Sequence, residues 1–151
     1  MATRDELQKA IDTFVAARKS IAGVGEGYNW GPGYSSGERK AIFPVEVNGE
    51  LVEGARVEVV GFPDSPTLKF RLSLCFNAAI CRLDYTDETH GNTMRTIGDG
   101  LPAVVRGPHF HSWPLNRRFF RGASRAPELH NAEQFTTASN FDSTLRACPR
   151  K

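Results

Sequence analysis

The chain has 151 residues, of which 40% are hydrophobic and 24% charged, and its formal net charge is +2. That is the composition of an ordinary soluble globular protein, and the length suits a single domain, 1–151, that buries roughly two thirds of its unfolded surface without help from disulfides or a structural metal. The chain as a whole is no polycation, and no apolar run reaches the roughly 20 residues of a membrane span.

Cys75, Cys81 and Cys148 are odd in number and form no C-x-x-C pair. They argue against a disulfide framework and a cysteine zinc site, and for a reducing cytoplasm. The N-terminus is amphipathic and carries acids early, unlike a signal peptide. No internal repeat is visible.

In chain order, residues 3–21 read as a helix. Thr3 can cap it, and Glu6 three residues on completes a capping-box pattern. Leu7, Ala10, Ile11, Phe14 and Val15 form one apolar stripe, with Gly23 and Gly25 as the stop. Residues 23–37 are a loop rich in glycine and aromatics that lacks the spacing of a phosphate-cradling loop. Tyr28, Trp30 and Tyr34 could stack on bases or rings there, or pin the loop to the core.

The period then changes to two. Residues 40–47 and a second strand at 55–62 flank Asn48-Gly49, the pair that accepts positive φ at both central positions of a two-residue hairpin turn. Leu68, Phe70, Leu72, Leu74 and Phe76 alternate with Lys69, Arg71, Ser73 and Cys75, which predicts a buried row on one face with Lys69 and Arg71 on the other. In residues 80–85, Cys81, Leu83 and Tyr85 share a face opposite Arg82 and Asp84. Residues 86–100 read as a polar loop carrying His90, and 103–111 as a fifth strand. A short helix or turn follows at 114–120, then a loop over 122–131. Ser139-Asn140 can cap a last helix, 141–148. The fold expected is α+β: an N-terminal helix packed on an antiparallel meander of about five strands, with short C-terminal helical pieces.

The chemistry centres on Gly107-Pro108-His109-Phe110-His111. Histidines two apart in a strand share a face, with ring centres expected about 6–7 Å apart. His90 supplies a third imidazole. His90, His109 and His111, with Asp84 or Asp87 adding a carboxylate, could ligate a divalent metal that activates water. Asp84 would then orient a ligand's second nitrogen. Without metal, the same histidines could act as general base and acid beside an arginine phosphate clamp. The histidines could also be purely structural. Residues 101–127 contain Arg106, Arg117, Arg118, Arg121 and Arg125 and no acid. That stretch could meet phosphate, or be a solvated face. Arg82 and Asp84, two apart, could orient a histidine or simply decorate the sheet.

The layout Arg82-Leu83-Asp84-Tyr85, His90-Gly91-Asn92 and Gly107-Pro108-His109-Phe110-His111 resembles that of small bacterial and prophage proteins similar to components of toxin–antitoxin loci. The match covers about a third of the chain, with one proline where those proteins often have two. The resemblance implies a bacterial or phage origin and activity directed at nucleic acid. The leading expectation is a cytoplasmic, toxin-like endoribonuclease using His90, His109 and His111, with Arg106, Arg117, Arg118 and Arg121 on the RNA or DNA. The rival is a non-catalytic module, an antitoxin or a phage-encoded inhibitor of a host defence protein, that binds its partner through those arginines and Trp113.

Overall fold

The computed structural model describes residues 1–23, 30–122 and 128–135. Helix α1 (Arg4–Ala16) starts where the sequence predicts. The Glu6 amide donates to Thr3 Oγ1 at 3.3 Å, and the Thr3 amide donates to Glu6 Oε2 at 2.7 Å. This reciprocal pair satisfies two amides that the first turn leaves open. The helix stops earlier than expected. Ala17 is already extended, and β1 (Lys19–Ile21) pairs antiparallel with residues 45–47. Lys19 Nζ donates to the Val15 and Ala17 carbonyls at 2.8 and 2.6 Å, which closes the end without a glycine. Strand pairing here overrides helix propensity.

After β2 (Gly31–Pro32) comes the meander: β3 (Arg39–Val47), β4 (Glu50–Gly61), β5 (Phe70–Phe76) and β6 (Ala78–Tyr85). Asn48 and Gly49 both have positive φ, 54° and 81°, as the hairpin turn requires. The expected fifth strand is two strands. The first, β8 (Val104–Arg106), pairs with β7 (Thr89–Gly91) in a separate ribbon, so His90 lies on a strand and not in a loop. The second, β9 (His109–His111), joins β6, and β10 (Glu133–Gln134) pairs with β9. The break falls at Gly107, whose φ of 74° lies in a region that L side chains avoid. The main sheet runs β1-β3-β4-β5-β6-β9-β10, with β2 also on the β3 edge.

Register sorts the faces. Phe43, Val57, Leu74 and Cys81 form one cross-strand row, and α1 packs on that side through Ile11 and Phe14. Phe14 meets Phe76 at 4.9 Å between ring centroids. The short helix α2 (Trp113–Asn116) and the 3-10 turn Arg117–Phe119 complete this core, with Trp113 and Phe120 in it. The Trp113 indole donates to Asp12 on α1 at 2.8 Å. The buried row expected on β5 holds only in part. Leu74 and Phe76 pack on the core, but Leu68 precedes the strand and is 71% exposed, and Leu72 is 36% exposed. Ser73 and Cys75, on the opposite face, are buried instead. The α1 side covers only one end of this row, whereas the other face of the sheet is occupied by the site below. Among the described residues no helix is long and apolar enough to cross a membrane. The helix expected at 141–148, together with Cys148, Arg125 and Tyr28, lies outside the described residues.

Candidate active site

Two cross-strand rows build the site on the face away from α1. One runs Val60, Arg71, Asp84, His109, and the other Glu58, Ser73, Arg82, His111. Pairing β6 with β9 therefore sets Asp84 opposite His109 and Arg82 opposite His111. The ribbon β7–β8 brings His90 over them. The three imidazoles converge. Ring centroids lie 5.1 Å apart for His90 and His109, 4.7 Å for His90 and His111, and 5.2 Å for His109 and His111. The last is shorter than the strand rise suggests, because the two rings turn edge to face.

Each imidazole gives one nitrogen to a backbone carbonyl, which can only accept. His90 Nε2 donates to His130 O at 2.8 Å, His109 Nδ1 to Gly107 O at 2.8 Å, and His111 Nδ1 to Asn131 O at 3.1 Å. In the neutral rings this leaves lone pairs at His90 Nδ1, His109 Nε2 and His111 Nε2. Two buried asparagines brace the backbone at Asn131 and at Ala132, next to the His130 carbonyl. Asn92 donates to the Ala132 carbonyl and accepts the Ala132 amide, both at 2.8 Å. Asn116 donates to the Asn131 carbonyl at 2.9 Å and accepts the Asn131 amide at 2.8 Å. Both clamp residues 131–132 as a strand neighbour would, so the backbone that orients His90 and His111 is itself fixed.

Asp84 and Arg82 set the charge. Asp84 Oδ2 lies 3.5 Å from His109 Nε2 and 3.3 Å from His111 Nε2. Arg82 forks across the pair. Its Nε donates to Asp84 Oδ2 at 2.8 Å, and its Nη2 lies 3.2 Å from His111 Nε2. Arg71 Nε donates to Asp84 Oδ1 at 3.1 Å. Burial alone would push the Asp84 carboxyl up, but the histidine contacts and the Arg82 charge outweigh it, and the carboxyl stays far below its usual range. His109 is buried, which lowers its pKa, yet the facing Asp84 carboxylate and the Gly107 carbonyl carry it above the ordinary value. His111 is completely buried, and burial with the Arg82 charge holds its pKa below the ordinary value. The surroundings thus raise the proton affinity of His109 and lower that of His111, whose Nε2 faces the Arg82 guanidinium. Asp84 does not take the expected role of binding a ligand's second nitrogen. It faces the Nε2 atoms, and backbone carbonyls take the others.

The site opens into a pocket of about 290 Å³ whose walls include Lys69, Arg71, Arg82, Asp84, His90 and His109. His111 sits behind the wall. Of the arginines expected to meet nucleic acid, none lines this pocket. Arg117 holds Asp12 at 2.7 Å on the α1 side, and Arg118 reaches Asp99 at 3.2 Å. Arg121 borders a separate surface recess with Arg4 and Arg118, and Arg106 lies on β8. Asp87 is exposed and off the pocket wall. Sequence reasoning had Arg71 only on the β5 face opposite the apolar row, named Asn92 only within the His90-Gly91-Asn92 layout without a role, and missed Asn116. The signal for Arg71 was its register with Asp84, which the meander supplies, while no periodicity marks Asn116 or Asn131.

One nitrogen from each of His90, His109 and His111 lies within 4.8 Å of the other two, close enough for the set to hold a transition metal. His111 Nε2 faces Arg82 Nη2 at 3.2 Å and two guanidiniums flank the carboxylate, so a dication held through that nitrogen would have to displace Arg82 and sit among cations. Burial pushes the Cys75 and Cys81 thiols up to about 11, which leaves neither as a nucleophile at neutral pH. Searches against protein-family models, curated proteins and solved structures returned no match.

Proposed function

We propose that the protein is a small, toxin-like endoribonuclease that cleaves RNA by metal-independent general acid–base catalysis. One observation carries this reading: two imidazoles stacked 5.1 Å apart at the wall of a pocket that also presents two guanidiniums. His90 donates through Nε2, so its Nδ1 lone pair is the base that takes the ribose 2′-hydroxyl proton. His109, as imidazolium, gives its Nε2 proton to the departing 5′-oxygen. Asp84 Oδ2, 3.5 Å away, supports that proton at the outer limit of hydrogen bonding, so it remains transferable. Stacked rings present parallel edges, one for the attacking and one for the leaving oxygen of an in-line displacement. Arg71 and Arg82 stabilise the charge on the phosphorus oxygens. His111 touches no substrate. It holds Arg82 in place and, with Arg82, positions Asp84. Histidines converging in a concave pocket favour chemistry over the rival reading, in which the same protein is an antitoxin or an inhibitor of a host defence protein. A cytoplasmic location fits an RNA substrate and the free thiols of Cys75 and Cys81 among the described residues.

The test is cleavage of a mixed-sequence RNA oligonucleotide with and without EDTA. The expected result is EDTA-resistant cleavage that falls by about 10²- to 10⁴-fold in His90→Asn and in His109→Asn, with melting temperatures nearly unchanged. Activity abolished by EDTA would transfer the three imidazoles to a metal centre. Intact RNA at all conditions would leave the binding-module reading.

A further inference from the structure

A second, larger depression adjoins the histidine pocket. It measures about 740 Å³ and lies between Trp30 and Leu68, with Phe62 and Phe70 in its walls. Phe62, Lys69 and Phe70 line both depressions and form the ridge between them. That ridge is stiff. Phe70 stacks on Tyr85 at 5.0 Å with planes 2° apart, and Lys69 Nζ lies 4.9 Å above the Phe62 ring. Trp30 rests near Gly61 on β4, where a Cβ would meet its ring at 3.8 Å. Trp30 is nonetheless 47% exposed, beside the exposed Leu68. Large apolar side chains gathered at one rim, without burial against the core, mark an interaction site.

The lining identifies the occupant. Among the described residues, the groove has aromatic and aliphatic walls, the cation Arg39 and, at the ridge, Lys69, which is paired with Glu88 at 2.7 Å, and no carboxylate in its lining. A flat apolar group carrying a negative charge fits that chemistry, and the groove continues from a pocket already read as binding a phosphodiester. We propose that the groove is a nucleobase subsite: a base of single-stranded RNA stacks on Trp30, beside the phosphate held at Arg71 and Arg82, with Arg39 on a neighbouring backbone phosphate. This rests on the ribonuclease reading for the direction of the strand. It adds that the substrate is unpaired, because a base in a duplex cannot reach an aromatic face. Stacking tolerates any base, so the site selects strandedness rather than sequence.

Fluorescence tests it directly. The chain has two tryptophans, and Trp113 is 2% exposed in the core, so quenching by a ligand reports Trp30. The probe is a 2′-O-methyl oligonucleotide, single-stranded and uncleavable, titrated into the full chain. Saturable quenching is expected, with Trp30→Ala weakening binding about 5- to 150-fold and Trp30→Phe retaining most of it, both measured by fluorescence anisotropy of a labelled probe. An abasic oligonucleotide should bind both variants alike, and the duplex form should bind poorly. Equal binding of base-bearing and abasic strands, or quenching by phosphatidylglycerol vesicles and not by the oligonucleotide, would overturn the subsite. The two readings fail separately. Quenching without RNA cleavage keeps the subsite and removes the catalysis, whereas cleavage unaffected by Trp30→Ala, without quenching, keeps the catalysis and removes the subsite.

Discussion

At the scale of single residues, the proposed mechanism turns on proton placement. Asp84 holds the proton on His109, so Asp84→Asn should lower the His109 pKa and move the alkaline limb of kcat/KM to lower pH. An NMR titration of the His109 ring reads the same shift independently of activity, and an unmoved midpoint would remove Asp84 from this role. Gly107 has a second task besides the break in the strand, since its carbonyl fixes the His109 tautomer. Gly107→Ala places a Cβ at a φ of 74°, which costs about 1–2 kcal/mol by urea unfolding. The histidine constellation was legible from the H-x-H spacing and the nearby His90, because strand alternation alone puts His109 and His111 on one side. Their tautomers were not legible. They depend on the carbonyls of residues 130–131, which arrive from a segment without periodicity and are fixed by side chains far away in sequence.

At the scale of elements, the hairpin and the face assignment of β6 followed from local signals. Asn-Gly demands its turn, and the alternation of Cys81, Leu83 and Tyr85 against Arg82 and Asp84 survives in the fold. Two elements were misread for the same reason. The end of α1 and the division of residues 103–111 are set by pairing partners distant in the chain, 45–47 and the β7 strand, which a local window does not contain. The β5 row shows the limit of period-two reasoning, which sorts faces but not depth along a strand. Ile80, wholly buried at the β5–β6 irregularity, is the better probe of the core. Ile80→Ala should cost about 2–5 kcal/mol in urea unfolding, and Leu72→Ala, half-exposed, distinctly less. Equal costs would mean that the sheet face has been misassigned.

For the whole molecule, the two β9 histidines make stability depend on pH in opposite directions. His109 has a raised folded pKa, so its contribution is full below the unfolded value, about 6.5, and is lost as pH rises through the folded one. His111 has a lowered folded pKa, so its contribution is present above about 6.5 and is lost as pH falls through the folded one. Asp84, also lowered, adds to the acid loss below about 3.9. Together they predict a stability maximum near pH 6.5, with a slope on the acid side that flattens in His111→Gln. Thermal melts across pH 4 to 9 measure it, and a monotonic profile would contradict the assigned proton states. Fold class was readable at this scale because helix period, turn chemistry and strand alternation agree along the first half of the chain. The central claim is that His90 deprotonates the ribose 2′-hydroxyl while His109 protonates the departing 5′-oxygen, and its most direct test is the chemistry of the cut ends. RNA incubated with the protein in EDTA should yield 5′-hydroxyl and 2′,3′-cyclic phosphate termini, and one 2′-deoxy nucleotide at the cleavage site should block the cut. A 5′-phosphate product, or cleavage that proceeds through the deoxy position, would contradict it.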